Sequence, residues 1–384
     1  MSGVTMSLPL HIGINAMQLS ARNSGIGQYI RHMVSSLLSS SEDRFTIYLS
    51  CGNVHPEWLG NKNVAIEEKL FRKEQFIRRN IYEISSFGLD LSRANLSLFW
   101  APDAKIPLLM PRNLPLAITV HDLAFLREPE TYLLSRVIYW RKIFKLAVEK
   151  STLIVAISNN TKNDLIDLMG VSPEKIRVIY NGVSPRFKPV QDQLLLEKVA
   201  RIYKLPERFL LFVGLFSPRK NIGCTLKAFK ILKEVYRVPH QLVLVGENGW
   251  GFREDLRLIK LFGLEKDVVF TGYVADEDLP AVYSLADVFV LPSIYEGFGM
   301  PVVEAMACGT PVVTSNTSAL AEVVGGSGVL IDPYNPEEIA HKVNLIITDK
   351  KLRASLSEAG KERAGQFCWD KAARELIKAF QELA

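Results

Sequence analysis

Asp-Val-Phe-Val-Leu-Pro-Ser-Ile-Tyr-Glu-Gly-Phe-Gly-Met-Pro-Val-Val-Glu-Ala-Met-Ala-Cys, residues 287–308, reads as a strand, a loop and a helix in direct succession. The apolar run 287–292 suits a strand buried on both faces, and Pro301 opens a short helix of small residues ending at Cys308. So tight a strand-to-helix passage belongs to a parallel α/β sheet, whose ligands bind at the carboxyl ends of the strands. Glu296 falls on the loop and Glu304, eight residues later, about one turn into the helix. Unpaired N–H groups at the helix start favour an anion, and carboxylates accept hydrogen bonds from hydroxyls. The segment suits a ligand carrying both phosphate and hydroxyls, a nucleotide sugar. A carboxylate favoured by the helix dipole would explain Glu304 alone, but not both acids together with the Gly-Phe-Gly turn.

Working outward, the same alternation runs along the whole chain. Strands are expected at 11–16, 45–50, 96–100, 116–120, 153–157 and 175–180, then at 209–213, 241–245, 268–271, 288–291, 311–314 and 328–331. Helices are expected at 25–39, 72–87, 132–149 and 159–169. A second series follows at 222–236, 251–262, 278–285, 301–308 and 319–324, with a helical tail at 336–348, 351–364 and 369–383. Asn181-Gly182-Val183-Ser184-Pro185 breaks the pattern, so the chain should divide into domains 1–185 and 186–384. Two doubly wound Rossmann-like domains facing a cleft are the expected architecture, with the ligand pocket at the domain interface.

The 384 residues suit two domains, and 48% hydrophobic with 23% charged residues is ordinary globular composition. No apolar run is long enough to span a bilayer, and residues 1–9 lack the charged and apolar regions of a signal peptide. Cys51, Cys224, Cys308 and Cys368 have no metal spacing and suit reduced thiols; the six His form no ligand cluster. A cytoplasmic protein without a required metal is therefore expected. Residues 1–190 hold 23 Lys+Arg against 16 Asp+Glu, the remainder 23 against 25. The basic first half suits an anionic membrane surface or a phosphorylated lipid acceptor, and no nucleic-acid module is visible. The basic stretch 71–79 mixes cations with apolar residues, but its cations do not gather on one helical face, so a solvated helix is the simpler reading.

Further candidates stand at strand ends. Gly214 closes one strand, and Arg219-Lys220 precede the next helix, a cradle for a diphosphate. Gly25 and Gly27 open a helix after the first strand, but Ile30 occupies the place of the third glycine of a dinucleotide fingerprint. His121, beside Asp122, follows the strand 116–120 and should face the cleft. Asp276-x-Asp278 could be taken for a metal motif, but acids at a helix start are ordinary caps.

The Glu296/Glu304 pattern with Gly-Phe-Gly inside it resembles family 4 of the retaining glycosyltransferases with the two-domain GT-B fold. Gly214-Leu215-Phe216-Ser217-Pro218-Arg219-Lys220-Asn221 and Thr271-Gly272-Tyr273-Val274 extend the resemblance upstream, and Gly25-Ile26-Gly27 and Val120-His121-Asp122-Leu123 carry it into the first half. The resemblance implies an acceptor-binding first domain, a donor-binding second domain, and a last helix (about 369–384) that crosses back to the first. It assigns Glu304 to the ribose hydroxyls of the donor and Glu296 to the hydroxyls of the transferred sugar. The diphosphate goes to Arg219 and Lys220 beside Gly214. Backbone amides of Phe298, Gly299 and Met300 would touch sugar or diphosphate, and backbone near Val274 would pair with the base. The Gly25/Gly27 loop would approach diphosphate and acceptor, and His121 would position the sugar through its carbonyl or ring. The implied reaction is front-face transfer of a hexose to a glycan or lipid-linked glycan. The run 121–130, His-Asp-Leu-Ala-Phe-Leu-Arg-Glu-Pro-Glu, is similar to bacterial surface-polysaccharide mannosyltransferases, which implies GDP-mannose as donor. Two other readings share this donor site: a sugar-nucleotide epimerase of related fold, and a non-catalytic nucleotide-sugar-binding protein.

Overall fold

The structure, a computed structural model, describes residues 9–19, 25–50, 52, 54–69, 76–249 and 251–383. The chain forms two compact units, Met1–Gly182 with Cys368–Ala384, and Val183–Phe367.

In the first unit β1 (His11–Asn15) leads to α1 (Gly25–Ser40), β2 (Arg44–Ser50) and β3 (Val64–Lys69). Then come α2 (Phe76–Ile84), α3 (Phe87–Arg93), β4 (Leu98–Ala101), β5 (Leu116–Val120) and α4 (Ala124–Arg127). The unit's run closes with α5 (Leu134–Lys150), β6 (Leu153–Ala156), α6 (Asn159–Met169) and β7 (Ile176–Val178). Its seven strands are all parallel in the order β3-β2-β1-β4-β5-β6-β7.

The second unit runs α7 (Gln193–Ile202), β8 (Phe209–Val213), α8 (Ile222–Glu234), β9 (Gln241–Val245), α9 (Phe252–Leu261) and β10 (Val268–Gly272). It continues with α10 (Leu279–Leu285), β11 (Val288–Leu291), α11 (Met300–Ala307), β12 (Val312–Ser315), α12 (Ser318–Val324) and β13 (Val329–Ile331). The helices α13 (Pro336–Thr348) and α14 (Lys350–Ala364) complete it. Its six parallel strands run β10-β9-β8-β11-β12-β13. Each sheet thus reverses its winding once, between β1 and β4 in the first unit and between β8 and β11 in the second. Such a reversal splays the flanking loops apart and leaves a crevice at the strand ends.

The central strands are buried on both faces: β8 and β11, Phe-Leu-Leu-Phe-Val and Val-Phe-Val-Leu, are buried at every position. The last helix, α15 (Trp369–Gln381), belongs to the first unit and packs on α1. Trp369 stacks on His32 at 5.5 Å, Ser36 donates to Asp370 at 2.8 Å, and Gly182 passes so close that a Cβ there would stand 2.3 Å from Trp369 N.

The sequence reading missed strand β3 and helices α3, α4 and α7. Strand β3 carries Glu67, Glu68 and Lys69 on the sheet edge, where charge discourages further pairing and hides the apolar alternation. Helix α7 buries only Val199, so its leucines show no clear stripe. The helix expected at 72–87 ends at Ile84 and α3 begins anew at Phe87, with Ser85-Ser86 at the break; residues 72–75 lie outside the described residues.

Candidate active site at the second switch point

Three loops meet at the carboxyl ends of β8, β11 and β12. After β8 the backbone stays beside β9, Gly214 N donating to Val245 O and Phe216 N to Glu247 O. Gly246 makes this approach possible: it sits at φ +145, and a Cβ on it would fall 2.0 Å from Gly214 O. The chain then turns through the 3-10 segment Pro218–Lys220 and enters α8 from Asn221, at φ +58 in the left-handed region. The Asn221 amide donates to the carbonyls of Pro292 at 3.0 Å and Pro333 at 2.6 Å. Ile294 N donates to Arg219 O at 2.8 Å. Backbone bonds thus fasten the loop after β8 to the loop after β11.

That fastening brings Arg219, Lys220 and Glu296 together. Arg219 Nη1 donates to Glu296 Oε2 at 2.9 Å and to Tyr295 O at 2.5 Å; Lys220 Nζ donates to Glu296 Oε1 at 2.5 Å. Both Lys220 and Glu296 are buried. Burial works against the Glu296 carboxylate, but the two cations and their hydrogen bonds outweigh it and hold its pKa at about 2. The group is an anion at any ordinary pH, and the cluster of three keeps one net positive charge. The third loop holds Glu296 by its backbone: Glu296 N donates to Ser318 Oγ at 3.0 Å and Ala319 N to Glu296 O at 3.2 Å.

Glu304 has a different environment. Tyr283 OH donates to its Oε2 at 2.9 Å. Burial dominates and pushes its carboxyl up to about 7, with Asp276 adding to the rise and the Tyr283 hydrogen bond and Arg186 opposing it. Two carboxylates eight residues apart are therefore tuned in opposite directions. Between them, Phe298 is buried with its ring edge-on to Phe367 at 5.4 Å. Gly299 caps α11 at φ +99, and a Cβ there would strike Leu320 Cδ2 at 2.6 Å. Met300 is the first residue of α11, so the N–H groups of the helix start stand where the sequence reading put them. Gly214 has room for a Cβ, 3.6 Å from Lys220 Cε. Val274 is buried, and next to it Ala275 N donates to Tyr203 OH.

One expectation is corrected here. Asp278 occupies the N-cap position of α10, but its side chain makes no cap hydrogen bond and instead accepts from Tyr203 OH at 2.8 Å, while Asp276 pairs with Arg186 at 3.4 Å and accepts from Tyr273 OH. Tyr203 follows the undetected α7, so the competing partner was invisible in the sequence. Among the described residues no group of three or more His, Cys, Asp or Glu stands together.

In the first unit His121 lies just past β5, where its Nε2–H donates to Pro102 O at 2.7 Å and its ring meets Tyr29 edge-on at 4.8 Å. A carbonyl only accepts, so Nε2 carries the proton; burial lowers the pKa and keeps the ring neutral. Its neighbour Asp122 turns back to accept from Ala124 N. Gly27 is buried at the start of α1 and Gly25 is exposed, with open space where its Cβ would be. Of the basic stretch 71–79, residues 71–75 lie outside the described residues, and Arg79 turns inward to Met17 O and Gln18.

The sequence reading did not single out Ser318, Tyr283 or Arg186, each of which supports an acid of the site. Asn221 was quoted only as the end of a motif; its amide hydrogen-bonding capacity after Arg-Lys was the available signal. Tyr283 looked like one more core residue of a short helix.

Two family models match, Glycosyltransferase Family 4 over residues 24–187 and Glycosyl transferases group 1 over residues 197–363. The chain is 32% identical over 275 residues to O-antigen chain mannosyltransferase B of Escherichia coli, covering 71% of this chain and 72% of that one. It is 29% identical over 269 residues to the serotype-specific mannosyltransferase WbdA of Escherichia coli, 68% of this chain but 33% of the relative, so it spans about a third of that longer protein. Among solved structures, Anabaena HepE in complex with UDP and glucose superposes with TM-score 0.74 at 21% identity, covering 96% of this chain and 99% of that one. The lipopolysaccharide glycosyltransferase WaaG superposes with TM-score 0.73 at 17% identity, over 95% and 99%. The two parallel switch-point sheets and these matches agree, and the chain belongs to the family 4 glycosyltransferases of the GT-B fold.

Proposed function

We propose that this glycosyltransferase moves mannose from GDP-mannose, with retention at the anomeric carbon and without a required metal, to a glycan or lipid-linked glycan acceptor in surface-polysaccharide synthesis. The observation that carries the reading is the buried Arg219–Glu296–Lys220 cluster between β8 and β11, whose surplus positive charge suits a diphosphate. Arg219 and Lys220 take the diphosphate beside Gly214. Glu304 accepts from the ribose hydroxyls, and the N–H groups at Phe298, Gly299 and Met300 face sugar and phosphate. Backbone near Val274 pairs with the base.

Glu296, fixed as an anion between two cations, is a poor base and a poor nucleophile, which favours front-face transfer. There the bond from the anomeric carbon to the phosphate oxygen breaks as the acceptor oxygen bonds to that carbon on the same face. The acceptor proton passes to the departing diphosphate. Glu296 then orients hydroxyls of the transferred sugar. His121, neutral and held through Nε2, offers Nδ1 as an acceptor that positions a hydroxyl. The Gly25/Gly27 loop approaches the acceptor. Mannose is favoured by the two mannosyltransferase relatives, while HepE, solved with UDP and glucose, keeps a UDP-sugar as the competing donor.

A membrane-surface contact of the first unit fits its excess of cations and the exposed side chains of Leu133, Leu134 and Ile138 at the start of α5. No helix among the described residues is long and apolar enough to cross a membrane.

A thermal-shift panel of GDP-, UDP- and dTDP-sugars tests the donor, since a ligand that binds only the folded state raises its melting temperature. A larger shift with GDP-mannose than with UDP-glucose supports the reading; the reverse order overturns the donor assignment. Transfer abolished by EDTA and restored by magnesium, or an inverted product anomer by NMR, overturns the mechanism.

A further inference from the structure

The first sheet has its own switch point, between β1 and β4, and it holds a polar cluster that none of the roles above uses. Asn15 ends β1, and Asp103 and Lys105 follow β4; Arg79 and Glu83 come from α2. Glu83 is 3% exposed and Asp103 9%. Buried charges ordinarily sit in short, saturated hydrogen bonds. Here Asp103 Oδ1 accepts from Lys105 N at 3.2 Å, but the side-chain pairings are long: Gln18 Nε2 to Glu83 Oε2 is 3.5 Å, Arg79 Nε to the same oxygen 3.9 Å, and Lys105 Nζ to Asp103 Oδ2 4.0 Å. Glu83 Oε1, fully buried, has no hydrogen-bond partner among the described residues. A nearby wall is aromatic. Lys105 Nζ lies 5.8 Å from the Trp140 ring centre, and Tyr139, 43% exposed, meets the Trp140 ring edge-on at 5.6 Å.

The chemistry restricts what this cluster can hold. Two acids stand against two bases, and burial pushes the Glu83 carboxyl up to about 7 and raises that of Asp103. Its unmet capacity is a carboxyl oxygen, which pairs with a hydroxyl in either state, accepting when ionised and donating when protonated. An exposed aromatic beside acids and an Arg suits the face of a pyranose, apolar on its C–H side and polar at its rim. From the orphaned oxygen, the aromatic wall and the switch-point position, we infer that Glu83, with Asp103 beside it and Tyr139 as the flanking ring, reads the hydroxyls of a neutral sugar residue of the acceptor. This deepens the proposed function, on whose glycan acceptor it rests, and adds a specificity-determining carboxylate in the first unit.

The test uses the full chain saturated with GDP, or with UDP if that binds better. The probes are methyl α-D-mannopyranoside and methyl α-D-glucopyranoside, followed by saturation-transfer NMR, with inorganic phosphate as the anionic counter-probe. At least one glycoside should bind the unmodified protein and the Glu296→Gln variant alike, which separates this site from the donor site. Glu83→Ala should weaken that binding about tenfold or more, as loss of a charge-assisted hydrogen bond does. The isosteric Glu83→Gln, which keeps the side-chain volume, should weaken it several-fold, and the surface change Tyr139→Ala should also weaken it. Binding of the nucleoside diphosphate by calorimetry should stay unchanged in all three. No glycoside binding to the unmodified protein, equal binding in both Glu83 variants, or dependence of phosphate rather than glycoside binding on Glu83 would each overturn the inference. Failure of nucleotide to bind any form would instead sink the donor reading and leave the glycoside result standing.

Discussion

Replacing Glu296 by Gln should separate the two tasks of the carboxylate, holding Arg219 and Lys220 in place and meeting the transferred sugar. The carboxylate lies 2.9 Å from one cation and 2.5 Å from the other, and all three side chains are less than 20% exposed. At an effective dielectric of about 20, each pair attracts by roughly 4 kcal/mol before desolvation is subtracted. The depression of its pKa from 4.5 to about 2 gives the net figure. A drop of that size corresponds to about 3 kcal/mol of native-state stabilisation, to order of magnitude. Because the folded pKa is lowered, this stabilisation is complete above pH 4.5 and fades as pH falls toward 2. The variant should therefore be about 2–4 kcal/mol less stable at pH 7, and the difference should shrink on acidification. For a unit of this size that is a fall in melting temperature of roughly 5–12 °C. Gln leaves the cations without a counter-charge, so adding GDP or UDP should recover more stability in the variant than in the unmodified protein. Free-nucleotide affinity by calorimetry should be tighter, as that larger recovery requires, while transfer slows by about one to two decades. A variant as stable as the parent at pH 7, or one that loses free-nucleotide affinity as Glu304→Gln is expected to, would refute the reasoning.

Arg219→Ala with Lys220→Ala should abolish calorimetric binding of the nucleoside diphosphate itself; retained binding by a folded variant would remove both residues from the diphosphate site. Glu304→Gln should weaken free nucleotide and donor alike, by about one to two decades. Because the Glu304 carboxyl is pushed up to about 7, nucleotide affinity in the unmodified protein should rise with pH through that range and be flat in the variant. The same raised pKa means that Glu304 favours the folded state when protonated, so its burial costs stability progressively as pH climbs from 4.5 to about 7; titrated melting temperatures of the two proteins should converge at low pH. Gly299→Ala should destabilise by about 1–3 kcal/mol, since it combines a left-handed φ with a 2.6 Å clash against Leu320, and should lower nucleotide affinity by shifting the start of α11. Normal denaturation and binding in that variant would show the cap geometry to be dispensable.

The sequence alone determined the class of the fold, because its evidence is local. A run such as Phe209–Val213 or Val288–Leu291, apolar at every position and followed by a glycine-bearing turn and a helix, can only be an interior strand of a parallel sheet. It also named the polar residues of the loops after β8 and β11, since glycines, adjacent cations and paired acids are visible as residue types. Edge elements such as β3 and half-exposed ones such as α7 escaped, because exposure erases the hydrophobic period. What only the tertiary structure decided is how those residues are coupled. Glu296 and Arg219 are 77 residues apart, and Asn221 reaches 112 residues to Pro333. No spacing rule reports that two diphosphate candidates clasp a sugar-binding candidate, that Glu304 faces a buried tyrosine, or that Glu83 lacks a partner for one oxygen. Charge state follows burial and distance to other charges. Both quantities are set by which strand ends the folded sheet brings side by side, so the chain order names the groups and the packing fixes whether each is an anion.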